Sequence, residues 1–205
     1  MTVNMTRIQT TLVVDNLSPF TPDIVSCLGI LGANYIQKSF SNVIIKSNHR
    51  DLIDNDRNNN FSYDRVILSG RRNNDREINI VNSRIIRRCF EYNIPVLGIC
   101  YGAEILALTL GGTIRKMTKP VQDTISITVS KSNSLISAAK KTLLVYESHR
   151  YCVAKLPEGF ESLASSLQCE HEVFSHQEKK IFGTQFHPEK SGADGLDILS
   201  KFLSV

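Results

Sequence analysis

Apolar residues fall along the chain in short runs set apart by polar, glycine-bearing or proline-bearing stretches. Within residues 10–15, Leu12-Val13-Val14 reads as a strand. Thr21-Pro22-Asp23 opens a helix, because proline suits a first helical turn. Ile24, Leu28 and Leu31 give that helix an apolar stripe, and Gly32 ends it. Val43-Ile44-Ile45 reads as the next strand, and the asparagine-rich stretch Asp54 to Asn60 as a surface loop. Val66-Ile67-Leu68 is a buried strand that stops at Ser69-Gly70. A helix from about Glu77 to Tyr92 follows, with Ile78, Val81, Ile85 and Cys89 on one face. The run Ile94 to Ile99 is another buried strand, and Ala103 to Leu110 a helix closed by Gly111-Gly112.

Beyond Gly112 the pattern changes to alternation. Thr124 to Val129 and the stretch around Leu143 to Tyr146 alternate, and strand-like segments recur near 150–154, 160–165, 170–174 and 181–186. A last helix runs from about Gly192 to Leu203, with Leu196, Leu199 and Phe202-Leu203 facing inward. Strands that alternate with helices predict a mostly parallel sheet covered on both faces, with a β-rich C-terminal half. In such sheets reactive groups sit at the carboxyl ends of the strands. Asp15, Ser69-Gly70 and Cys100 all fall there. Residues 1–9 read as an N-terminal extension and 10–205 as a single domain.

Cys100 carries the chemistry. It ends an apolar strand, and Gly98 and Gly102 stand two residues away on either side. Glycines there remove the Cβ clashes that would forbid a sharp strand-to-helix turn. Such a turn lifts the sulfur out of the sheet. The helix behind it favours a thiolate and offers N–H groups to an oxyanion. A core cysteine is the plain alternative, and the paired glycines weigh against it. In Phe186-His187-Pro188-Glu189, a histidine and a carboxylate stand two residues apart just after a strand-like run. Positions i and i+2 of an extended segment point the same way. Glu189 is therefore placed to orient His187 while the other ring nitrogen faces a thiol.

Composition narrows the setting. The chain has 205 residues, enough for one domain with an ordinary core. No apolar run approaches the ~20 residues that cross a bilayer, and the first residues show no secretory signal. The five cysteines Cys27, Cys89, Cys100, Cys152 and Cys169 form no disulfide framework or CxxC metal pattern. A reducing cytoplasm is the expected setting. His49, His171 and His176 have no ligand spacing with one another, and neither a metal nor a cofactor is expected. The net charge is +4, with arginines clustered at Arg71, Arg72, Arg76, Arg84, Arg87 and Arg88. A solvated helix face is the first reading of that cluster and a docking surface for an acidic partner the second. No nucleic-acid motif or interleaved aromatics accompany it, so no nucleic-acid partner is expected.

The Gly98–Gly102 elbow and the Phe186-His187-Pro188-Glu189 string, at this spacing, resemble the class I glutamine amidotransferase domains. Leu12 to Thr21 is similar to the opening of the anthranilate and aminodeoxychorismate synthase glutaminases. Arg65 to Gly70 and Glu147-Ser148-His149 are similar to the glutaminase part of GMP synthase. The ending, Gly183 to Ser191, is similar to several members. The resemblance implies a flavodoxin-like α/β fold and hydrolysis of glutamine through a Cys100 thioester. His187 would serve as base and acid, and Glu189 would orient it. It also implies an oxyanion hole from the backbone of Tyr101 and of the Gly70-Arg71 turn. Ammonia would pass to a separate synthetase or synthase subunit, with the GMP synthase type slightly favoured.

Three site residues beyond the triad follow from the same resemblance: Glu104, Ser148 and His149 near the substrate. His149 is equally readable as structural. Two departures from the family pattern stand out. Arg71-Arg72 replace the second glycine and the proline usual after the Ser69-Gly70 strand end. Glu104 replaces the usual glutamine, and as a carboxylate it opposes thiolate formation at Cys100. These departures keep open an altered amide or γ-glutamyl substrate. A non-catalytic regulatory homologue also stays open, although the retained triad argues against it.

Overall fold

The computed structural model describes residues 9–45, 52–54 and 63–205. The proposed N-terminal extension and the asparagine-rich segment after Asp54 lie almost wholly outside the described residues. In chain order the elements are β1 (Thr10–Asp15), α1 (Thr21–Ile30), β2 (Asn34–Ser39), β3 (Val43–Ile45), β4 (Leu52–Asp54), β5 (Arg65–Leu68), α2 (Arg76–Tyr92), β6 (Val96–Ile99) and α3 (Tyr101–Thr109). There follow β7 (Thr113–Val129), β8 (Thr142–Lys155), β9 (Phe160–Ser165), β10 (Val173–His176), β11 (Ile181–Thr184) and α4 (Gly192–Leu203).

Nine strands form one sheet in the order β2-β1-β5-β6-β11-β10-β9-β7-β8. The first five are mutually parallel, and the remainder pair antiparallel. The parallel half has the flavodoxin-type order, with β1 at the point where the winding reverses. Its central strands are buried on both faces, as their apolar runs require. Leu12 and Val14 of β1, and Val66 and Leu68 of β5, pack with α2 and α3 on one side. Val13 and Ile67 point the other way, into a core shared with Ile24 and Leu28 of α1 and Ile198, Leu199 and Phe202 of α4. Among the described residues no helix is long and apolar enough to cross a membrane.

Two strands differ from the reading of the sequence. Val43–Ile45 does not join the main sheet; it pairs with Leu52–Asp54 in a separate two-stranded ribbon. The main-sheet strand after α1 is Asn34–Ser39, whose residues are exposed or half-buried because it is the sheet edge. Polar edge strands carry little apolar alternation. β7 also begins at Thr113, well before the alternating stretch. It forms a long ribbon with β8 whose register shifts between Lys116 and Val121, and most of its residues face solvent. β10 begins at Val173, a few residues later than expected, and β11 stops at Thr184.

Candidate active site

Cys100 stands between β6 and α3 with φ 52° and ψ −108°, a backbone conformation that L-residues rarely adopt. The surrounding packing enforces it. A Cβ at Gly98 would come within 2.5 Å of the Gly102 carbonyl, and one at Gly102 within 2.3 Å of Leu68 O. The elbow therefore presses β6 against α3, and α3 against β5, more closely than any side chain permits. Cys100 N–H donates to Thr184 O at 2.8 Å, which ties the elbow to the end of β11.

The chain leaves β11 through Gln185 and Phe186 and brings His187 to the sulfur. His187 N–H donates to Tyr146 O at 2.9 Å, and Ser191 Oγ donates to His187 O at 2.6 Å. The imidazole stands edge-on to Phe20 at 4.7 Å, and its Nδ1 lies 2.7 Å from Glu189 Oε1. Both side chains are buried. The other side of the ring lies within hydrogen-bonding reach of Cys100. Cys100 Sγ is also 3.8 Å from Ser148 O, a contact in which the thiol can donate.

Burial pushes the Cys100 thiol up, Glu104 adds to the rise, and His187 and the Tyr101 N–H pull it back. Burial disfavours a charged His187, yet the negative charges of a Cys100 thiolate and of Glu189 carry its pKa well above the usual imidazole value. A proton that leaves the sulfur is thus kept on His187, within the pair.

The Ser69-Gly70 turn closes over this pair. A Cβ at Gly70 would sit 3.2 Å from His187 Cε1 and 3.8 Å from Cys100 Cβ. Asn16 holds the turn from behind: its N–H donates to Ser69 Oγ at 2.9 Å and its side-chain amide to Ser69 O at 3.0 Å. Asn16 is in turn paired with Asn82 of α2, whose amide donates to Asn16 Oδ1 at 2.7 Å. The Arg71 guanidinium stacks 3.9 Å over the Tyr101 ring and donates to Asn79 at 2.8 Å. Tyr101 OH donates to the same Asn79 oxygen at 2.9 Å. Among the described non-glycine residues positive φ occurs at Leu17, Asn93 and Cys100, so Arg71 keeps negative φ.

The three residues expected near the substrate separate into different roles. Glu104, on the first turn of α3, is buried and accepts from Gln185 Nε2 at 3.2 Å. Burial raises its pKa, against the pull of Gln185, His149 and Arg71. Ser148 faces the sulfur through its carbonyl. His149 turns inward: Nδ1 is 2.7 Å from Tyr151 O, and Nε2 is 2.7 Å from Glu147 Oε2. Both ring nitrogens thus face protein groups, Nδ1 a carbonyl and Nε2 a carboxylate oxygen from which it receives no hydrogen bond.

One further expectation needs correction. Arg88 is buried, with its guanidinium 5.0 Å over Tyr92, so it leaves the solvated face on which Arg76, Arg84 and Arg87 remain. Linear spacing marks no ligand set, yet the fold brings Glu147, His149 and Glu172 together, with ligand atoms within 4.8 Å of one another. Burial pushes Glu147 up to about 7 and Glu172 up to about 8, with the Glu147 charge adding to the latter. Glu172 lies 23 residues beyond His149, and no local pattern announces it. Asn82 had a faint signal, an amide in the apolar stripe of α2.

The family model for class-I glutamine amidotransferases matches residues 12–204. A GMP synthase (glutamine-hydrolysing) from Acetivibrio thermocellus is 40% identical over 118 residues, 57% of this chain and 23% of that protein. The glutamine-hydrolysing GMP synthase subunit of Pyrococcus furiosus is 35% identical over 123 residues, 60% of this chain and 65% of that protein. The match thus spans less than two thirds of either relative's own length. The crystal structure of a Thermoplasma acidophilum protein, provisionally described as a GMP synthase subunit, superposes with a TM-score of 0.80 at 28% identity, covering 96% of this chain and 93% of that one. The matched model spans both halves of the site, from the strand before Asn16 to the helix after Glu189, and the chain belongs to the class I glutamine amidotransferase family.

Proposed function

We propose that the chain hydrolyses glutamine at Cys100 and supplies the ammonia to a separate synthetase subunit of the GMP synthase type. The observation that carries the catalytic reading is the meeting of a strained, buried cysteine with a histidine whose far nitrogen is 2.7 Å from a buried carboxylate. Cys100 transfers its proton to His187, and the sulfur attacks the side-chain amide carbon of glutamine. The negative charge on the resulting tetrahedral oxygen is met by the Tyr101 N–H and by backbone of the Gly70-Arg71 turn. The C–N bond then breaks as His187 returns the proton to the leaving nitrogen. Ammonia departs and a γ-glutamyl thioester remains. Water, deprotonated by His187, attacks the thioester; glutamate leaves and the thiol is restored. Glu189 holds the imidazole in the tautomer and orientation both steps need.

The GMP synthase assignment rests on the shared naming of the relatives and on the near end-to-end superposition with the Thermoplasma acidophilum protein. The acceptor would then be a purine nucleotide activated on the partner. The test is covalent trapping with 6-diazo-5-oxo-norleucine, read by intact mass and peptide mapping. A single adduct on Cys100, blocked by excess glutamine and absent from Cys100→Ala, is the expected result. A Cys100 that reacts with iodoacetamide but not with this glutamine mimic would overturn glutamine as the substrate. Glutamine hydrolysis by Cys100→Ala at the wild-type rate would overturn the mechanism.

A further inference from the structure

A second cluster of chemically able groups lies behind the Cys100–His187 pair. Glu147 and His149 stand two residues apart on β8 and so project to the same face. Glu172, immediately before β10, comes up against them from the neighbouring part of the sheet. All three are buried: Glu147 is 0% exposed, Glu172 1% and His149 7%. Among the described residues neither carboxylate forms an ion pair with a lysine or arginine.

The hydrogen-bond geometry points to a cation. A backbone carbonyl can only accept, so the 2.7 Å contact to Tyr151 O puts the ring proton of a neutral His149 on Nδ1. Nε2 then presents its lone pair to Glu147 Oε2, 2.7 Å away. Two lone pairs at that distance require a positive centre, a proton or a metal ion, between or beside them. A single proton serves that one contact; Glu172, within hydrogen-bonding reach of Glu147 and Ser166, would need a second proton between the two carboxyls. Both Glu147 oxygens, Glu172 Oε2 and His149 Nε2 have no hydrogen-bonding partner, although all are shielded from water. Metal-bound histidines commonly donate the second ring N–H to a backbone carbonyl, which fixes the tautomer and aims the free nitrogen at the ion.

We propose that Glu147, His149 and Glu172 form a binding site for one divalent transition ion of the zinc type. The donor set is one imidazole and two carboxylates, a combination zinc accepts in tetrahedral geometry with bonds of about 2.0–2.2 Å. Ligand atoms within 4.8 Å of one another can share such a centre. The Nε2–Oε2 pair at 2.7 Å must open by about 0.6 Å, since ligand atoms on a tetrahedron with ~2.0 Å bonds lie roughly 3.3 Å apart. One position remains for water. The ion would clamp β8 to the segment that leads into β10. Tyr146, whose carbonyl receives the His187 N–H, and Ser148, whose carbonyl lies on Cys100 Sγ, are each next to a ligand in sequence. The clamp therefore fixes the strand that both halves of the active site lean on.

The test uses the full chain, refolded with equimolar zinc or cobalt(II) and then desalted. A Cys100→Ser background removes metal capture by the catalytic thiol. Expected is one retained equivalent of zinc by elemental mass spectrometry. The cobalt form should give the comparatively intense visible d–d bands of a four-coordinate ion and no thiolate-to-cobalt charge-transfer band. Glu147→Gln and Glu172→Gln should each weaken binding at least tenfold. Failure to retain a stoichiometric ion overturns the proposal and leaves protons to hold the cluster. Binding unchanged in both glutamine variants overturns it too. A thiolate charge-transfer band also does so, by placing the ion on Cys152 or Cys169 instead. The cobalt spectrum needs no substitution at the site, so the proposal stays falsifiable even if a glutamine variant fails to fold.

Discussion

Replacing Glu104 by glutamine changes the charge beside Cys100 while keeping the shape of the side chain and an oxygen for Gln185 to donate to. Glu104 N–H donates to Cys100 O at 3.0 Å, so the two residues are one helical turn apart. Residues at that spacing have Cβ atoms about 5–6 Å apart. A unit charge at roughly 6 Å, in an effective dielectric of about 20, opposes a second negative charge by roughly 3 kcal/mol, or about two pH units. Gln185, His149 and Arg71 offset part of the Glu104 charge, which reduces the expected shift to about one unit. The sign follows from the charge: an ionised Glu104 favours the neutral thiol, so Glu104→Gln lowers the Cys100 pKa. Burial raises the pKa of Glu104 itself, so at acid pH it is protonated and the two proteins should behave alike. They should separate only as pH rises through the Glu104 titration, with up to about tenfold more thiolate in the variant. The assay is the pH dependence of Cys100 alkylation by iodoacetamide, read on the Cys100 peptide, alongside glutamate release. An unmoved or raised midpoint would refute the electrostatic reasoning.

Two further expectations concern the elbow and the base. Gly102→Ala would place a Cβ 2.3 Å from Leu68 O, which neither backbone can yield cheaply, and the loss should be about 3 kcal/mol in urea unfolding, at the upper end of overpacking costs. A loss under about 0.5 kcal/mol would mean that α3 is not pressed against β5. Glu189→Gln removes the charge that favours protonated His187, so it should lower kcat by a factor on the order of 10²–10⁴ with KM little changed, and move the imidazole titration downward. Steady-state kinetics across pH would check both, and an unchanged kcat would remove Glu189 from the mechanism.

Much of the parallel half of the fold was legible because its strands are buried on both faces and its helices carry clean apolar stripes. Leu12 to Val14, Val66 to Leu68 and Val96 to Ile99 could hardly be anything but central strands. Burial erases the cue at the rim, where Asn34–Ser39 and the first residues of the β7–β8 ribbon face water and carry polar side chains. Val43–Ile45 misled for the converse reason: a β-branched triplet favours extended backbone without saying which sheet it joins. The meeting of Cys100 with His187 and Glu189 was readable because the local demands of such a geometry leave marks in sequence. An elbow needs two glycines, and a base with its orienter needs i, i+2 spacing. The Glu147–His149–Glu172 cluster left half a mark, an i, i+2 pair, and its third member arrives only through the fold.

The two halves of the site are held by different physics. Cys100 is fixed by close backbone contact, with Gly98 against Gly102 and Gly102 against Leu68, so its position is set by packing that admits no alternative. The turn over it is fixed by polar contacts that converge on α2. Asn16 passes the Ser69-Gly70 turn on to Asn82, and Asn79 receives both Arg71 and Tyr101. Asn79 and Asn82 lie three residues apart, on adjacent parts of one helical surface. Arg71, which stands where the second glycine is usual, therefore does not float free of the site. Arg71 couples the backbone of the Gly70-Arg71 turn to the same helix that anchors its floor. A residue without a side chain at position 71 would leave the turn free to adopt either peptide orientation. Arg71, stacked on Tyr101 and bonded to Asn79, ties the orientation of that peptide to the placement of α2 against the sheet.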